Sequence, residues 1–155
     1  MLDMPVFKGV QHFDDGHIFS PEDIADCAKV QGVDVNPGDA LLIRTGFMSL
    51  WDGKNEHPGG GQAGISIELA EYIAEKDVAI VGADNGLEVR RAEDIQSGKM
   101  YPLRLELLRN RGMHLLLNLY LEELSRDQVY ESLLVVGPLN ITGATHSPIN
   151  PIAIA

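Results

Sequence analysis

The polar residues of greatest chemical interest, Asp84 and Asn85, follow almost directly on the apolar run 78–82 (VAIVG). A short apolar run of this length is typical of a strand that is buried on both faces. In open α/β sheets, residues just beyond the carboxyl ends of such strands commonly form ligand sites. Asp84 could therefore orient a group in a pocket, or it could equally cap a turn, and the sequence leaves both roles open.

Two histidines near the start of the chain flank two aspartates. His12 and His17 stand on either side of Asp14 and Asp15. Imidazole and carboxylate groups are the ligands of many zinc sites, so this spacing loosely suggests a metal cluster. A solvated acidic loop is the favoured interpretation of this segment.

Two further reactive residue types have simpler interpretations. His57 lies in the glycine-rich stretch 52–64, where surface exposure is favoured over a pocket role, and no Lys-Ser/Thr follows that would make the stretch a phosphate loop. Cys27 is the only cysteine, which excludes a disulfide framework. It shares a helix face with Ile24 and Ala28 and has no basic neighbour, so we expect a buried, unreactive thiol.

Composition limits the classes of partner. The chain has 155 residues, of which 45% are hydrophobic, and this predicts one domain over residues 1–155. The net charge of −11 disfavours nucleic acid and anionic membranes as partners. No apolar run reaches the roughly 20 residues that span a bilayer, and no signal peptide is visible. We therefore expect a cytoplasmic protein.

Helices and short apolar strands alternate along the chain. The clearest helix start is at Ser20, because Pro21 suits the first helical position and Asp23 has the spacing of a capping box. The patterns predict three helices: from Ser20 to a stop at Gly32, at 67–76 with Ser66 as cap, and at 102–111. They predict strands at 40–45, 78–82, 113–117 and 131–136, and a surface loop at 85–100. In the tail at 147–152, two prolines are expected to prevent regular pairing. This alternation predicts an α/β fold with crossover connections.

Four segments together resemble the cyclase family of metal-dependent hydrolases, the kynurenine-formamidase-like and isatin-hydrolase-like enzymes. They are 32–46 (GVDVNPGDALLIRTG), 78–85 (VAIVGADN), 101–124 (YPLRLELLRNRGMHLLLNLYLEEL) and 138–154 (PLNITGATHSPINPIAI). The resemblance runs from about residue 2 onward and corresponds to the C-terminal part of the family. It implies a swivelling β/β/α fold, here truncated at the N-terminal side, with a mixed sheet and crossover helices. It also implies oligomers, a manganese or zinc ion, and hydrolysis of cyclic amides or N-formyl groups.

The metal-binding residues of that family have no counterpart here. Its His-x-Gly-Thr-His-x-Asp motif is absent from this chain, and the two further ligand positions, a histidine and a glutamate, align with Arg104 and Leu117. Arginine keeps its proton, and leucine has no donor atom. His114 is an unlikely substitute, because alternation along a strand turns residues 114 and 117 to opposite faces. We therefore predict no metal or other cofactor for this chain.

The resemblance also suggests pocket residues. Arg104, at a ligand position, could bind a carboxylate directly, although an exposed place in the first helical turn is favoured. His146 and Ser147 lie in a segment that resembles one near the family's substrate pocket, or they could satisfy local backbone groups. Trp51 could form the pocket wall, but a core anchor is favoured. With Asp84, these are the pocket candidates.

Two functions remain open from the sequence. One is a hydrolase that acts on cyclic amide or N-formyl C–N bonds only when a complementing chain supplies the metal motif. The other is a non-catalytic binding or scaffold protein that kept the fold. A truncated product without a separate role is a third option. Strands missing relative to the family would leave apolar surface uncovered, so we expect a homo-oligomer.

Overall fold

A parallel four-stranded sheet forms the centre of the protein in a computed structural model that describes residues 1–51, 53 and 62–155. The strands β1 (Leu2–Asp3), β2 (Ala40–Arg44), β3 (Ile80–Ala83) and β4 (His114–Leu116) lie in the order β1-β2-β3-β4. Register partners include Leu2 with Ile43 and Leu41 with Val81. All four strands therefore end at the same edge of the sheet.

The connections between these strands contain short helices. They are α1 (Met4–Lys8), α2 (Pro21–Gln31), α3 (Leu69–Glu75), α4 (Ala92–Gln96) and α5 (Pro102–Arg104). The helix α5 continues as a π-helix over Leu105–Asn110, and a 3₁₀ turn covers Phe47–Leu50. A further helix, α6 (Glu122–Arg126), follows β4. No helix among the residues that the structure describes is long and apolar enough to cross a membrane. The compartment therefore stays a prediction.

A second, smaller sheet lies apart from the first. It pairs β5 (Leu133–Val135) with β6 (Ile152–Ile154) in antiparallel register. The mixed pairing expected from the sequence is thus divided between a parallel sheet and an antiparallel ribbon. The prediction that the tail lacks regular pairing is wrong beyond Pro151, because only the two prolines lack an N–H group and β6 begins directly after them.

The helix α2 shows how the sequence sets its local structure. The Ser20 hydroxyl accepts from the Asp23 N–H, while the Asp23 carboxylate accepts from the Ser20 N–H, so the predicted capping box is present. Gly32 ends the helix with a left-handed φ of 68°. Ile24 and Cys27 face the core, and burial raises the pKa of the Cys27 thiol to about 12. Burial and this raised pKa agree with the unreactive thiol that we predicted.

The segment between β3 and β4 differs most from the sequence prediction. The predicted surface loop 85–100 contains the helix α4, and it places Leu87 and Glu88 in the interior. The predicted helix 67–76 begins at Leu69, since the Ser66 hydroxyl contacts the Glu68 carboxylate and no side chain caps α3. Within 102–111, Leu103 and Leu107 are buried, but Leu108 is 45% exposed.

Candidate functional site

The carboxylate of Asp84 lies at the end of β3 and is fully buried. Its Oδ1 accepts hydrogen bonds from the Thr45 N–H at 2.9 Å and from the Thr45 hydroxyl at 2.7 Å. Its Oδ2 accepts from the Gly46 N–H at 2.9 Å. Asp84 therefore joins the ends of β2 and β3, which the parallel register places side by side. Three donors replace the water that burial removes.

Asn85 extends these contacts toward the next loop. Its Nδ2 group donates to the Thr45 hydroxyl oxygen at 3.1 Å and to the Ala63 carbonyl at 2.8 Å, and its Oδ1 accepts from the Leu87 N–H at 2.7 Å. We call Thr45, Gly46, Asp84 and Asn85 the strand-end network. Every polar side-chain atom of Asp84 and Asn85 has a hydrogen-bond partner, as buried groups require.

Gly46 is needed where the strand-end network meets the amino-terminal segment. Its φ is 82°, and a Cβ atom would lie 2.4 Å from the Gln11 carbonyl oxygen and 2.9 Å from the His12 Cα. A side chain here would thus be strained in conformation and would meet backbone atoms. The glycine brings the N–H group of residue 46 to Asp84 while the chain passes close to residues 11 and 12.

The electrostatics of Asp84 favour its structural role. Burial raises the pKa of the Asp84 carboxyl above its ordinary value, while the hydrogen bonds from Thr45 and Gly46 oppose that rise. A general base needs a free lone pair within reach of the proton it takes. Three protein donors bind the two oxygens of Asp84, and the residue is closed to solvent and so out of reach of a substrate proton, so the geometry suits a structural link between β2 and β3.

Arg104 belongs to a second polar cluster, which we call the Glu88–Arg104 pair. Glu88 is 3% exposed, and its Oε1 accepts from the Leu103 N–H at 2.7 Å. The Arg104 Nε lies 3.7 Å from the Glu88 Oε2, and its Nη2 donates to the Gly86 carbonyl at 3.1 Å. The carboxylate that Arg104 contacts in this structure is therefore one of the protein's own.

Tyr101 completes the surroundings of that guanidinium. The Arg104 Cζ lies 4.5 Å from the centre of the Tyr101 ring, a distance typical of a cation–π contact. Burial raises the pKa of the Glu88 carboxyl, and the N–H groups of Leu103 and Arg104 oppose the rise. Arg104 lies in the first turn of α5 with 32% of its side chain exposed, and its role in binding a carboxylate from outside the protein stays a prediction.

Glu88 is the functional-type residue that the sequence analysis missed. It lies in a polar stretch that predicted a surface loop, between the apolar residues Leu87 and Val89. That short alternation of apolar and polar residues was the only signal available, and it would have placed Glu88 on the solvent side. The interior position depends instead on the start of α5, whose Leu103 N–H has no partner in the helix.

A third cluster of charges lies at the same edge of the sheet, where β1 and β2 end. The Arg44 Nη1 donates to the Asp3 Oδ1 at 2.8 Å, and its Nε and Nη2 donate to the two oxygens of Glu122 at 2.9 and 2.7 Å. Asp3 is 0% exposed and Arg44 is 6% exposed. We call this the Arg44 triad. No pattern in the sequence indicated this cluster, since the three residues lie in β1, β2 and α6.

His146 and Ser147 make their hydrogen bonds with residues near them in the chain. The Ser147 hydroxyl accepts from the Leu139 N–H at 3.0 Å and donates to the Pro148 carbonyl, and the exposed His146 ring contacts Thr145. Both residues therefore satisfy local groups in this structure, and their pocket role stays a prediction. Trp51 is 40% exposed, so the core-anchor interpretation is wrong.

The histidines are spread over separate places. His17 is exposed and stacks on Phe13, with 4.6 Å between the ring centres, and His12 contacts the Phe13 carbonyl. The exposure of His17 agrees with a solvated loop, and its ring also contacts an aromatic side chain. His114 begins β4 and is exposed, whereas Leu117 packs against the core. His57 lies outside the described residues.

The residues present do not fit a divalent metal ion at this sheet edge. No group of three His, Cys, Asp or Glu side chains within residues 1–51, 53 and 62–155 is arranged to hold one. The oxygens of Asp84 already accept three hydrogen bonds, and Glu88 is paired with a guanidinium. A cation placed here would meet the positive charge of Arg104.

Comparisons with known proteins agree on one family. The family described as "putative cyclase" matches residues 1–86. A solved structure described as a novel cyclase is 30% identical to this chain, with a TM-score of 0.82. The match covers 99% of this chain and 51% of that one. No curated protein matches the chain.

Two more distant structures share the fold. A potential metal-dependent hydrolase with cyclase activity is 22% identical, with a TM-score of 0.64, and the match covers 92% of this chain and 60% of that one. An isatin hydrolase bound to the product analogue thioisatinate is 19% identical, with a TM-score of 0.68, and the match covers 98% and 57%. The chain thus spans about half the length of the novel cyclase and not much more of the other two.

Proposed function

This chain belongs to the cyclase family, and from that membership we propose that it is a cyclase-fold binding or scaffold protein that does not by itself hydrolyse cyclic amides or N-formyl groups. The observation that carries the proposal is the Glu88–Arg104 pair. The family resemblance expects a metal-binding histidine at position 104, and this chain has a guanidinium there whose contacts are all within the protein.

The chemistry of the family explains why that change matters. A bound divalent ion lowers the pKa of water from 15.7 to about 7 and polarises the scissile carbonyl. In this chain the second expected ligand position holds Leu117, an aliphatic side chain that packs against the core. Neither position offers a lone pair to a cation, so the two ligands expected from this part of the fold are absent.

The buried carboxylates do not provide an alternative route to an activated water. Asp84 accepts from Thr45 and Gly46 with both oxygens and is closed to solvent. Glu88 supports the start of α5 and pairs with Arg104. Both carboxylates therefore stabilise contacts within the fold. This supports a function that is carried out by the surface of the protein and not by the edge of the sheet.

A second function is favoured by one specific observation. The match to the novel cyclase covers 51% of that chain, so about half of that relative has no counterpart here. A complementing chain that carries the His-x-Gly-Thr-His-x-Asp motif could supply a metal site and restore arylformamidase-type hydrolysis. This alternative needs the complement to provide every ligand, since positions 104 and 117 provide none.

Metal analysis combined with an assay tests the proposal. The purified chain is equilibrated with manganese or zinc, its bound metal is measured by mass spectrometry, and turnover is followed with N-formylkynurenine and isatin. We expect no stoichiometric metal and no turnover, whereas a motif-bearing cyclase of the same family shows both. Stoichiometric metal together with turnover by this chain alone would show the proposal to be wrong.

Ligand restoration gives an independent test of positions 104 and 117. The double variant Arg104→His/Leu117→Glu places the two expected ligand types there, and Arg104→Gln/Leu117→Gln is the matched control. Calorimetric titration with zinc is expected to show weak binding by the first variant and none by the second. Equal binding by both would contradict the assignment of these positions. Turnover that arises only on addition of a motif-bearing fragment would favour the complementing-chain function.

A further inference from the structure

Two guanidinium groups lie against a single tyrosine ring on the surface beside the start of α5. The Arg104 Cζ lies 4.5 Å from the centre of the Tyr101 ring, and the Arg90 Cζ lies 5.4 Å from it. Tyr101 is 43% exposed, and Arg90 is also exposed. We call these residues the Arg90–Tyr101–Arg104 cluster. Both distances are typical of cation–π contacts, so the ring holds two like charges close together.

Arg90 has no carboxylate partner in the part of the chain that the structure describes. Its neighbour Arg91 forms ion pairs with Glu68 and Glu93, whereas the Arg90 guanidinium makes only the contact with the tyrosine ring there. The sequence has 23 acidic and 12 basic residues, so a carboxylate partner would have been easy to provide. An exposed guanidinium without one can accept an anion from outside the protein.

The internal carboxylate of Glu88 satisfies Arg104 only in part. The Arg104 Nε and the Glu88 Oε2 are 3.7 Å apart, and each is a buried atom without a hydrogen-bond partner among the described residues. The guanidinium makes one hydrogen bond there, from Nη2 to the Gly86 carbonyl. The exposed 32% of the side chain belongs to atoms other than Nε. Because a guanidinium has five N–H donors, donors on its two Nη atoms remain for a further acceptor.

A strained backbone at Leu87 fixes the groups that orient this guanidinium. Leu87 has a φ of 67°, a left-handed conformation that is rare for leucine, and it is buried. It lies between Gly86, whose carbonyl accepts from Arg104, and Glu88. The Leu87 N–H donates to the Asn85 Oδ1 at 2.7 Å, which holds the turn in place. Strained residues of this kind occur most often at binding sites, where their surroundings keep them in position.

We propose that the Arg90–Tyr101–Arg104 cluster binds the carboxylate group of a small organic molecule. The planar fork of a guanidinium matches the two oxygens of a carboxylate, and the two guanidiniums of the cluster can share them. The ligand lies on the outer surface, beyond the buried Glu88. This inference rests on the proposed binding function, because it names the class of ligand that such a protein would take.

Charge and surroundings select a monoanion with an apolar body. The two guanidiniums of the cluster are positive and Glu88 is negative, so one further negative charge neutralises the group. A phosphate dianion would leave an excess of negative charge on a protein whose net charge is already −11. Met100 and Leu105, on either side of the segment 101–104, are 51% and 49% exposed. Apolar surface therefore adjoins the cluster and can cover the body of the ligand.

Titration of the metal-free full chain with benzoate tests the proposal. Benzamide is the matched uncharged ligand, and inorganic phosphate is the competing anion. Binding is followed by NMR through the signals of residues 86–91 and 101–105. We expect benzoate to bind at least about tenfold more tightly than benzamide or phosphate, because only benzoate offers a planar single charge to the guanidiniums. Equal affinity for benzamide, or equal or tighter binding of phosphate, would overturn the proposal.

Three variants separate recognition of the ligand from folding. Arg90→Gln removes a cation without an ion pair in the described structure, and we expect benzoate affinity to fall about fivefold or more. Arg104→Lys keeps a charge beside Glu88 but lacks the planar fork, so benzoate should again bind more weakly. Glu88→Gln keeps an acceptor for the Leu103 N–H and removes the competing carboxylate, so benzoate should bind more tightly.

Arg109→Gln is the matched control, because Arg109 is exposed and lies outside the cluster. It should leave benzoate affinity within about twofold of the wild type, since loss of a distant exposed charge is largely screened. Thermal unfolding verifies that each variant is folded. Unchanged affinity in folded Arg90→Gln, weaker binding by folded Glu88→Gln, or an equal loss in Arg109→Gln would each contradict the assignment.

This experiment gives a result that is separate from the test of the proposed function. Failure of the wild-type chain to bind benzoate would overturn the ligand assignment and leave the metal analysis unchanged. Stoichiometric metal with turnover would overturn the proposed function whether or not benzoate binds. The two failures are therefore distinguishable.

Discussion

Asp84 illustrates how one side chain can hold two strands together at the edge where a ligand site was expected. The carboxylate spans the ends of β2 and β3 and accepts from two consecutive N–H groups and one hydroxyl. Each of those donors would otherwise be buried without a partner. Asp84 thus makes a structural contact between two strands in this structure, and its role as a pocket group stays a prediction.

Substitution of Asp84 by Asn measures the strength of that contact. An amide oxygen can accept from Thr45, but the adjoining NH₂ group then faces the Gly46 N–H, which leaves a buried donor unsatisfied. We expect the free energy of unfolding to fall by about 1–3 kcal/mol. Urea unfolding measures the change. The exposed Asp26→Asn serves as control and should shift stability by less than about 0.5 kcal/mol. Equal effects of the two variants would contradict the structural role.

At the scale of secondary-structure elements, the Arg44 triad links three parts of the chain. β1 is only two residues long, and its contacts with β2 are reinforced by the pair between Asp3 and Arg44. Arg44 also holds Glu122 at the start of α6 with two hydrogen bonds. A bidentate arrangement of this kind is stronger and more directional than a single contact. It therefore positions α6 against the sheet edge.

Removal of the cation from the triad should be strongly destabilising. In Arg44→Met the buried Asp3 carboxylate loses its partner, and we expect a loss of about 3–5 kcal/mol in unfolding free energy. Arg126→Met is the matched control, because Arg126 pairs with Asp127 where both side chains are more than half exposed. Such exposed pairs contribute little to stability, because water and salt screen the two charges. Thermal and urea unfolding of both variants would show the difference, and an Arg44→Met protein as stable as the control would contradict this role.

At the scale of the whole molecule, charge is unevenly distributed. Residues 1–131 carry the entire net charge of −11, and residues 132–155 contain no Asp, Glu, Lys or Arg. The first part repels other copies, and the second part exposes aliphatic surface. The homo-oligomer that the sequence predicts would therefore depend on a balance between long-range repulsion and apolar contact.

This balance predicts the effect of salt on association. Raising ionic strength from about 0.01 M to about 0.15 M shortens the screening length from about 30 Å to about 8 Å, which weakens repulsion between acidic bodies. We expect the dimer dissociation constant to decrease with added sodium chloride, and sedimentation at several salt concentrations measures it. A dissociation constant that rises with salt would indicate that ion pairs, and not apolar contacts, hold the copies together.

Local features were the most predictable parts of this fold. The capping box of α2, the strand near 40–44 and the strand that ends before Asp84 follow from patterns within a few residues. The family resemblance added the cyclase fold, which the structural matches confirm. The failures concern pairings between distant residues: the interior position of Glu88, the tie between Asp3, Arg44 and Glu122, and the strand β6.

The sequence by itself determined the α/β class, the placement of Asp84 at a strand end and the lack of charged side chains in residues 132–155, because each is set by residue type and by spacing along the chain. Only the tertiary structure decided what those residues contact. Parallel register brings Thr45 to Asp84, and the start of α5 brings Arg104 to Glu88. Residues 15 to 40 positions apart become neighbours only when the connections between them are folded, and local sequence preferences contain little information about that closure.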